Sequence, residues 1–148
     1  MIDNKPIKVF NNGDMVRDFT YIDDIVESVS CALDTPAKPN EHWNAMSPDP
    51  ATSNAPYRIY NIGNSKPVPL MDYIYAIEKS LGRKAKLDKM PMQAGDVYST
   101  YADVDRLEYD LGYRPKITLE KGVDQFVCWY QEFYSRAKNN IKKVMPFE

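Results

Sequence analysis

The run from Val9 to Ile25 constrains this chain most, because it sets a strand, a tight turn and a helix start in quick succession. Ile7, Val9 and Phe10 favour extended backbone, and Asn12-Gly13 is a strong turn dipeptide because both residues tolerate positive φ. Arg17 and Asp18 follow, and an aromatic and β-branched run then carries the chain to Asp23. That residue is a suitable N-cap for a predicted helix from Asp24 to Leu33. Two readings fit the Arg17–Asp18 pair: a loop that meets a ligand anion, and an ordinary surface ion pair.

A length of 148 residues corresponds to one domain and is enough for a real core. Acidic residues slightly outnumber basic ones, for a net charge of −2, and no basic stripe precedes the last turn of the chain, so nucleic acid is not an expected partner. No apolar run approaches a membrane span and no signal-peptide pattern is present. Membrane association is not expected, and a cytoplasmic location is. Cys31 and Cys128 read as two buried thiols in a reducing compartment. His42 is the single histidine, which excludes a histidine-based triad and a multi-histidine metal site.

Further along, Ile25, Val26, Val29, Ala32 and Leu33 recur at helical spacing and predict a helix packed by one face on a sheet. Residues 35–56 hold five prolines and no periodicity, and predict a long exposed loop that Trp43 either pins down or leaves as a partner surface. Tyr57 to Asn64 predicts a strand ending in a turn, where Gly63 permits a sharp bend or close approach to a ligand. A helix follows from Leu70 to Leu81 with Gly82 as its stop, then a short strand from Lys84 to Met90. A helix capped by Asp103 ends at Gly112. A final helix opens at Thr118, with Val123, Phe126, Val127, Tyr130 and Phe133 as its buried stripe and a polar tail that frays beyond Ser135. The aromatics Trp129, Tyr130, Phe133 and Tyr134 suit core packing better than a partner surface.

Tyr75 and Lys79 match a Tyr-x-x-x-Lys pattern, in which a lysine one turn away lowers the tyrosine pKa and makes it a proton acceptor. An exposed Tyr/Lys pair at this spacing is also common by chance. The adjacent carboxylates Asp23 and Asp24 read as stabilisers of a helix start rather than as an acid/base pair. No Gly-x-x-Gly-x-x-Gly loop links a strand to a helix, so no dinucleotide pyrophosphate seat is expected.

Arg17-Asp18-Phe19-Thr20-Tyr21-Ile22-Asp23-Asp24-Ile25 resembles, almost word for word, the nucleotide-sugar-binding segment of the extended short-chain dehydrogenase/reductase family. The resemblance is to its NAD-dependent nucleotide-sugar epimerases, the branch that includes UDP-glucuronate 4-epimerase. It continues in Tyr60-Asn61-Ile62-Gly63-Asn64-Ser65, in Met90 to Val97 and in Gly112-Tyr113-Arg114-Pro115, and covers about Lys5 to Tyr134. Each fingerprint is weak alone; four in order are specific.

The resemblance implies an α/β fold in which 1–148 is the C-terminal substrate-binding portion, a small mixed sheet with packed helices. The NAD-binding Rossmann domain and the catalytic tyrosine would then lie outside this chain, and Tyr75 and Lys79 fall where the family has no catalytic group. It also implies the roles of single residues. Arg17 would meet the diphosphate, Val9 and Phe10 would run beside the uracil, and Asn61 would stand near the nucleotide. Asp96 would accept from the ribose or order the arginine. Gln93 stands where many relatives have a second arginine, so diphosphate binding would lean on Arg17. For the complete enzyme the implied activity is reversible oxidation at C4 of a UDP-sugar, interconverting UDP-glucuronate and UDP-galacturonate. A tyrosine base takes the hydroxyl proton, NAD takes the hydride, and the 4-keto sugar turns before hydride returns. A UDP-sugar is the implied partner and a homodimer the implied assembly. The chain alone would be inactive. The same contacts would serve a nucleotide-sugar dehydratase, decarboxylase or reductase, and a free-standing, non-catalytic nucleotide-binding module is the other alternative.

Overall fold

The computed structural model describes residues 1–144, with side chains described through residue 134. In chain order the elements are β1 (Ile7–Val9), β2 (Val16–Arg17), α1 (Ile22–Asp34), β3 (Val68–Pro69), α2 (Leu70–Leu81), β4 (Leu87–Lys89), α3 (Asp105–Leu111) and α4 (Leu119–Val144). This is an α/β chain whose strands pair as two separate two-stranded sheets, β1 with β4 and β2 with β3. The chain divides into two compact units, one of 1–15, 69–98 and 118–148, the other of 16–68 and 99–117. No helix among the described residues is long and apolar enough to cross a membrane.

In the first unit β1 and β4 run parallel, with Ile7 opposite Leu87 and Val9 opposite Lys89. Parallel pairing needs a long crossover, and α2 lies within it. Asn11 and Asn12 take left-handed conformations at φ 47° and 54°, ahead of Gly13 at 89°, so the predicted Asn-Gly turn forms directly after β1. Gly13 is required twice over, because a Cβ there would also sit 2.8 Å from the Met71 Sδ. α2 ends as its sequence predicts. Gly82 is left-handed, its N–H donates to the Lys79 carbonyl, and the Arg83 N–H donates to the Glu78 carbonyl, which together form a Schellman stop. Helix α2 packs on α4, burying Ile74, Val123 and Val127. Thr118 Oγ1 accepts the Lys121 N–H at 3.3 Å, so Thr118 caps α4 as expected.

The expected α4 stripe is only partly buried. Phe126 and Phe133 are about half exposed, as are Trp129 and Tyr134, and these rings stack along the helix, Trp129 on Phe133 at 5.4 Å and Tyr130 against Tyr134 at 4.5 Å. Periodicity marks a face suited to burial, but only the part opposite α2 finds a partner among the described residues. Cys128 is likewise exposed rather than buried, its thiol 3.8 Å from Glu132 Oε1, and Cys31 is half-buried. The helix continues to Val144, where fraying from Ser135 was expected, while 145–148 lie outside the described residues.

In the second unit α1 begins two residues early, at Ile22 behind Tyr21, and no side chain caps it, so Asp23 is not its N-cap. Its buried face is polar: Asp24 and Ser28 are at most 1% exposed, whereas Val26, Val29 and Leu33 face solvent. The sheet expected beneath the apolar stripe is not formed by the described residues. The run 57–64 also differs from its expectation. It makes one antiparallel bridge, Arg58 with Thr52, and no strand, because β propensity without a partner edge produces no ladder. Helix α3 ends as expected at left-handed Gly112, but it begins at Asp105 behind Val104 and no side chain caps it, so Asp103 is not its N-cap. Asp103 Oδ1 instead accepts the Asp105 N–H at 3.0 Å from one residue before the cap. Val104 and Leu107, each 1% exposed, form the core of this unit.

Candidate functional site

The predicted site residues fall in both units. In the first, Val9 is a core residue, 2% exposed, and its carbonyl accepts the Met90 N–H at 2.9 Å. That bond joins the end of β1 to the start of the 91–97 loop, which carries Gln93 and Asp96. Phe10 is half-buried at the turn that follows. The Asp96 N–H closes a turn on the Gln93 carbonyl at 3.1 Å, with left-handed Gly95 between them, and both side chains are exposed. Asp96 Oδ1 also accepts the Val97 N–H at 2.8 Å. Close by in sequence, the Tyr98 hydroxyl donates to Asp14 at 3.0 Å, and this bond to a carboxylate pushes the tyrosine pKa up.

In the second unit Arg17 ends β2, half-buried, and its Nη1 donates to the Val16 carbonyl at 2.8 Å. Its neighbour Asp18 is a hub. One carboxylate oxygen accepts the N–H groups of Ser65 at 3.0 Å and Ala102 at 3.1 Å, the other that of Lys66 at 3.4 Å, and the Asp18 N–H donates to Thr100 Oγ1 at 3.2 Å. Gly63 is what allows these segments to meet: a Cβ there would lie 2.2 Å from the Ala102 Cβ and 3.1 Å from Asp18 Oδ2. Of the two readings of this glycine, a sharp bend or close approach to a ligand, the structure shows a close approach, but to the chain's own Ala102 and Asp18. Asn61 is exposed, and its Nδ2 donates to the Asp103 carbonyl at 3.2 Å. It lines an open cavity of about 860 Å³ together with Arg58, Arg106, Asp49 and Asp110, but Arg17 does not line that cavity. The two cations there face carboxylates, Arg58 Nε to Asp110 at 3.2 Å and Arg106 Nη2 to Asp49 at 2.9 Å.

Sequence reasoning assigned Asp24 to the helix dipole. Its carboxylate instead accepts the Tyr113 hydroxyl at 2.7 Å and the N–H groups of Lys116 and Ile117, the latter at 2.9 Å, so the fourth fingerprint is fastened to α1. Burial, and then this bond, drive the Tyr113 pKa well up. The partners of Asp18 and Asp24 lie 47 to 93 positions away, and no local signal pointed to them. Among the described residues no group of three His, Cys, Asp or Glu side chains could hold a metal ion.

A family model described as GDP-mannose 4,6 dehydratase matches residues 2–126. Protein CapI of Staphylococcus aureus is 48% identical over 136 residues, which are 92% of this chain and 41% of that protein. A probable UDP-glucuronate 4-epimerase of Rhizobium meliloti (strain 1021) is 42% identical over 141 residues, 93% of this chain and 40% of that protein. Among solved structures, UDP-glucuronic acid 4-epimerase from Bacillus cereus, in complex with UDP-glucuronic acid and NAD, has a TM-score of 0.66 at 28% identity, covering 83% of this chain and 34% of that one. This chain thus spans about two fifths of the length of the curated relatives it matches. With the family model matched over most of its length, the chain belongs to the GDP-mannose 4,6 dehydratase family of extended short-chain dehydrogenase/reductases.

Proposed function

We propose that this chain is the C-terminal, nucleotide-sugar-binding portion of an NAD-dependent UDP-sugar 4-epimerase, with UDP-glucuronate as its substrate. The observation that carries the proposal is Arg17, a half-buried guanidinium at the end of β2 whose adjoining backbone is tied to two other segments. A planar fork on a fixed base suits a diphosphate, to which it donates two parallel charge-assisted bonds. A relative named as a probable UDP-glucuronate 4-epimerase at 42% identity, and one named UDP-glucuronate 4-epimerase 5 at 41%, support the choice of sugar. Phe10, half-buried, supplies the wall for the base, with Val9 buried in the core beneath it rather than open to a ligand, and the exposed Gln93 and Asp96 contribute neutral and acidic contacts.

The chain's own part is binding. Gripping UDP while leaving the hexose free to turn applies binding energy away from the reacting carbon. Among the described residues the four α-helices follow Tyr21, Pro69, Val104 and Thr118 rather than a glycine-rich turn, so these helix starts do not fit a dinucleotide pyrophosphate. NAD, the catalytic Tyr-x-x-x-Lys and the dimer contacts belong, in this reading, to residues outside the chain, and the chain alone is inactive.

Calorimetric titration of the chain with UDP, UDP-glucuronate and NAD tests this. UDP and UDP-glucuronate bind, NAD does not, and Arg17→Ala weakens UDP binding by at least tenfold, as expected for losing a charge-assisted contact of about 1.5–3 kcal/mol. UDP binding that Arg17→Ala leaves intact overturns the assignment of Arg17, and a wild-type chain silent toward UDP overturns the proposal.

A further inference from the structure

The carboxylate of Asp18 is surrounded by donors from two distant segments, and its own amide is held by a third group. Ser65 and Lys66 approach from the loop before β3, and Ala102 from the segment before α3, while Thr100 Oγ1 receives the Asp18 N–H. A carboxylate is the one side chain that accepts at every lone pair, so a single group closes all three amides at once. The consequence falls on the preceding residue. The Arg17 side chain folds back on its own strand through the bond from Nη1 to the Val16 carbonyl, so its reach is measured from backbone that Asp18 fixes on its C-terminal side. Displacement of that backbone by about 1 Å would carry the guanidinium out of bidentate register with a diphosphate.

We infer that Asp18 is a positioning residue for diphosphate binding, acting through Arg17 rather than by touching the nucleotide. This rests on the reading of Arg17 as the diphosphate contact. It assigns the adjacent pair two separate tasks: the arginine grips, and the aspartate aims it.

The test is a double-mutant cycle on the chain, read as UDP affinity by calorimetry well below each variant's melting temperature. Asp18→Asn is the informative change. Its carbonyl oxygen can keep the Ser65 and Ala102 bonds, while its amide nitrogen opposes the Lys66 N–H, so the fold is retained with one anchor lost. Asp18→Asn is expected to weaken UDP binding three- to tenfold in the wild-type background and by less than twofold in the Arg17→Ala background. Asp18→Ala, where circular dichroism shows it folded, weakens binding further, with the same loss of effect once Arg17 is gone. Equal weakening in both backgrounds overturns the inference, because it marks a general structural role. So does Asp18→Asn binding at wild-type strength while Arg17→Ala binds weakly, and that result leaves the assignment of Arg17 standing. Silence of the wild-type chain toward UDP overturns the underlying reading and this inference with it.

Discussion

Replacing Gly63 with alanine adds a single methyl group where no space exists. The new Cβ would lie 2.2 Å from the Ala102 Cβ and 3.1 Å from Asp18 Oδ2. Carbon atoms in contact sit about 3.5–4.0 Å apart, so the two segments must part by more than about 1 Å. That movement stretches the bonds from Ser65 N and Ala102 N to Asp18, now 3.0 and 3.1 Å, and the bond from Ser65 Oγ to the Ala102 carbonyl at 2.7 Å. Overpacking in a closed site costs about 1–3 kcal/mol, and loosening a charge-assisted bond a further 1.5–3. The chain relaxes by whichever is cheaper, for an expected loss of about 3 kcal/mol. At this chain length that lowers the melting temperature by about 6–12 °C. Urea titrations with an unchanged m-value measure it, and Ala102→Gly supplies the control. Removing the Ala102 Cβ abolishes the worst contact, so Gly63→Ala combined with Ala102→Gly should be more stable than Gly63→Ala alone. A Gly63→Ala melting point within about 1 °C of wild type, or a double variant as unstable as the sum of the singles, would refute the packing argument.

Tyr113 offers a pH-dependent check. Its folded pKa stands above the ordinary tyrosine value of about 10 because of burial and then the bond to Asp24, so its contribution is complete below pH 10 and is lost as pH rises toward the folded value. Urea midpoints measured between pH 8 and 11 should fall at the alkaline end, and Tyr113→Phe should be less stable at pH 8 with a flatter alkaline decline. On α4, Val123→Ala and Val127→Ala should each cost about 1–3 kcal/mol, whereas Trp129→Gln and Phe133→Gln stay within about 0.5 kcal/mol of wild type. Comparable losses at all four positions by chemical denaturation would restore the continuous buried stripe.

Punctuation was the most legible layer of this sequence. Gly82 and Gly112 stop α2 and α3 in left-handed conformations, Asn12-Gly13 turns, and Thr118 caps, because each depends on backbone energetics confined to a few residues. Faces were legible only as capacities. The α1 and α4 stripes have the spacing for burial, yet Leu33 is 76% exposed and Phe133 53%, since spacing says nothing about whether a partner surface is present. The same holds for Ile59 to Ile62, which have strand propensity but form no strand among the described residues beyond the Ile59 N–H bond to the Ala51 carbonyl at 3.0 Å.

The candidate site divides along the same line. Arg17 could be picked out from the sequence because its neighbours form a recognisable run, but the device beside it could not. Asp18 joins amides 47 and 84 positions away, and the residue permitting that junction, Gly63, has the same local signature as a glycine that admits a ligand. Local sequence can show that a close approach occurs at Gly63 but not what approaches. Only the position of Ala102 decides it: what stands against Gly63 is Ala102 and the Asp18 carboxylate. A glycine beside a candidate binding residue is therefore evidence for crowding, and the crowding here lies on the protein side of the site.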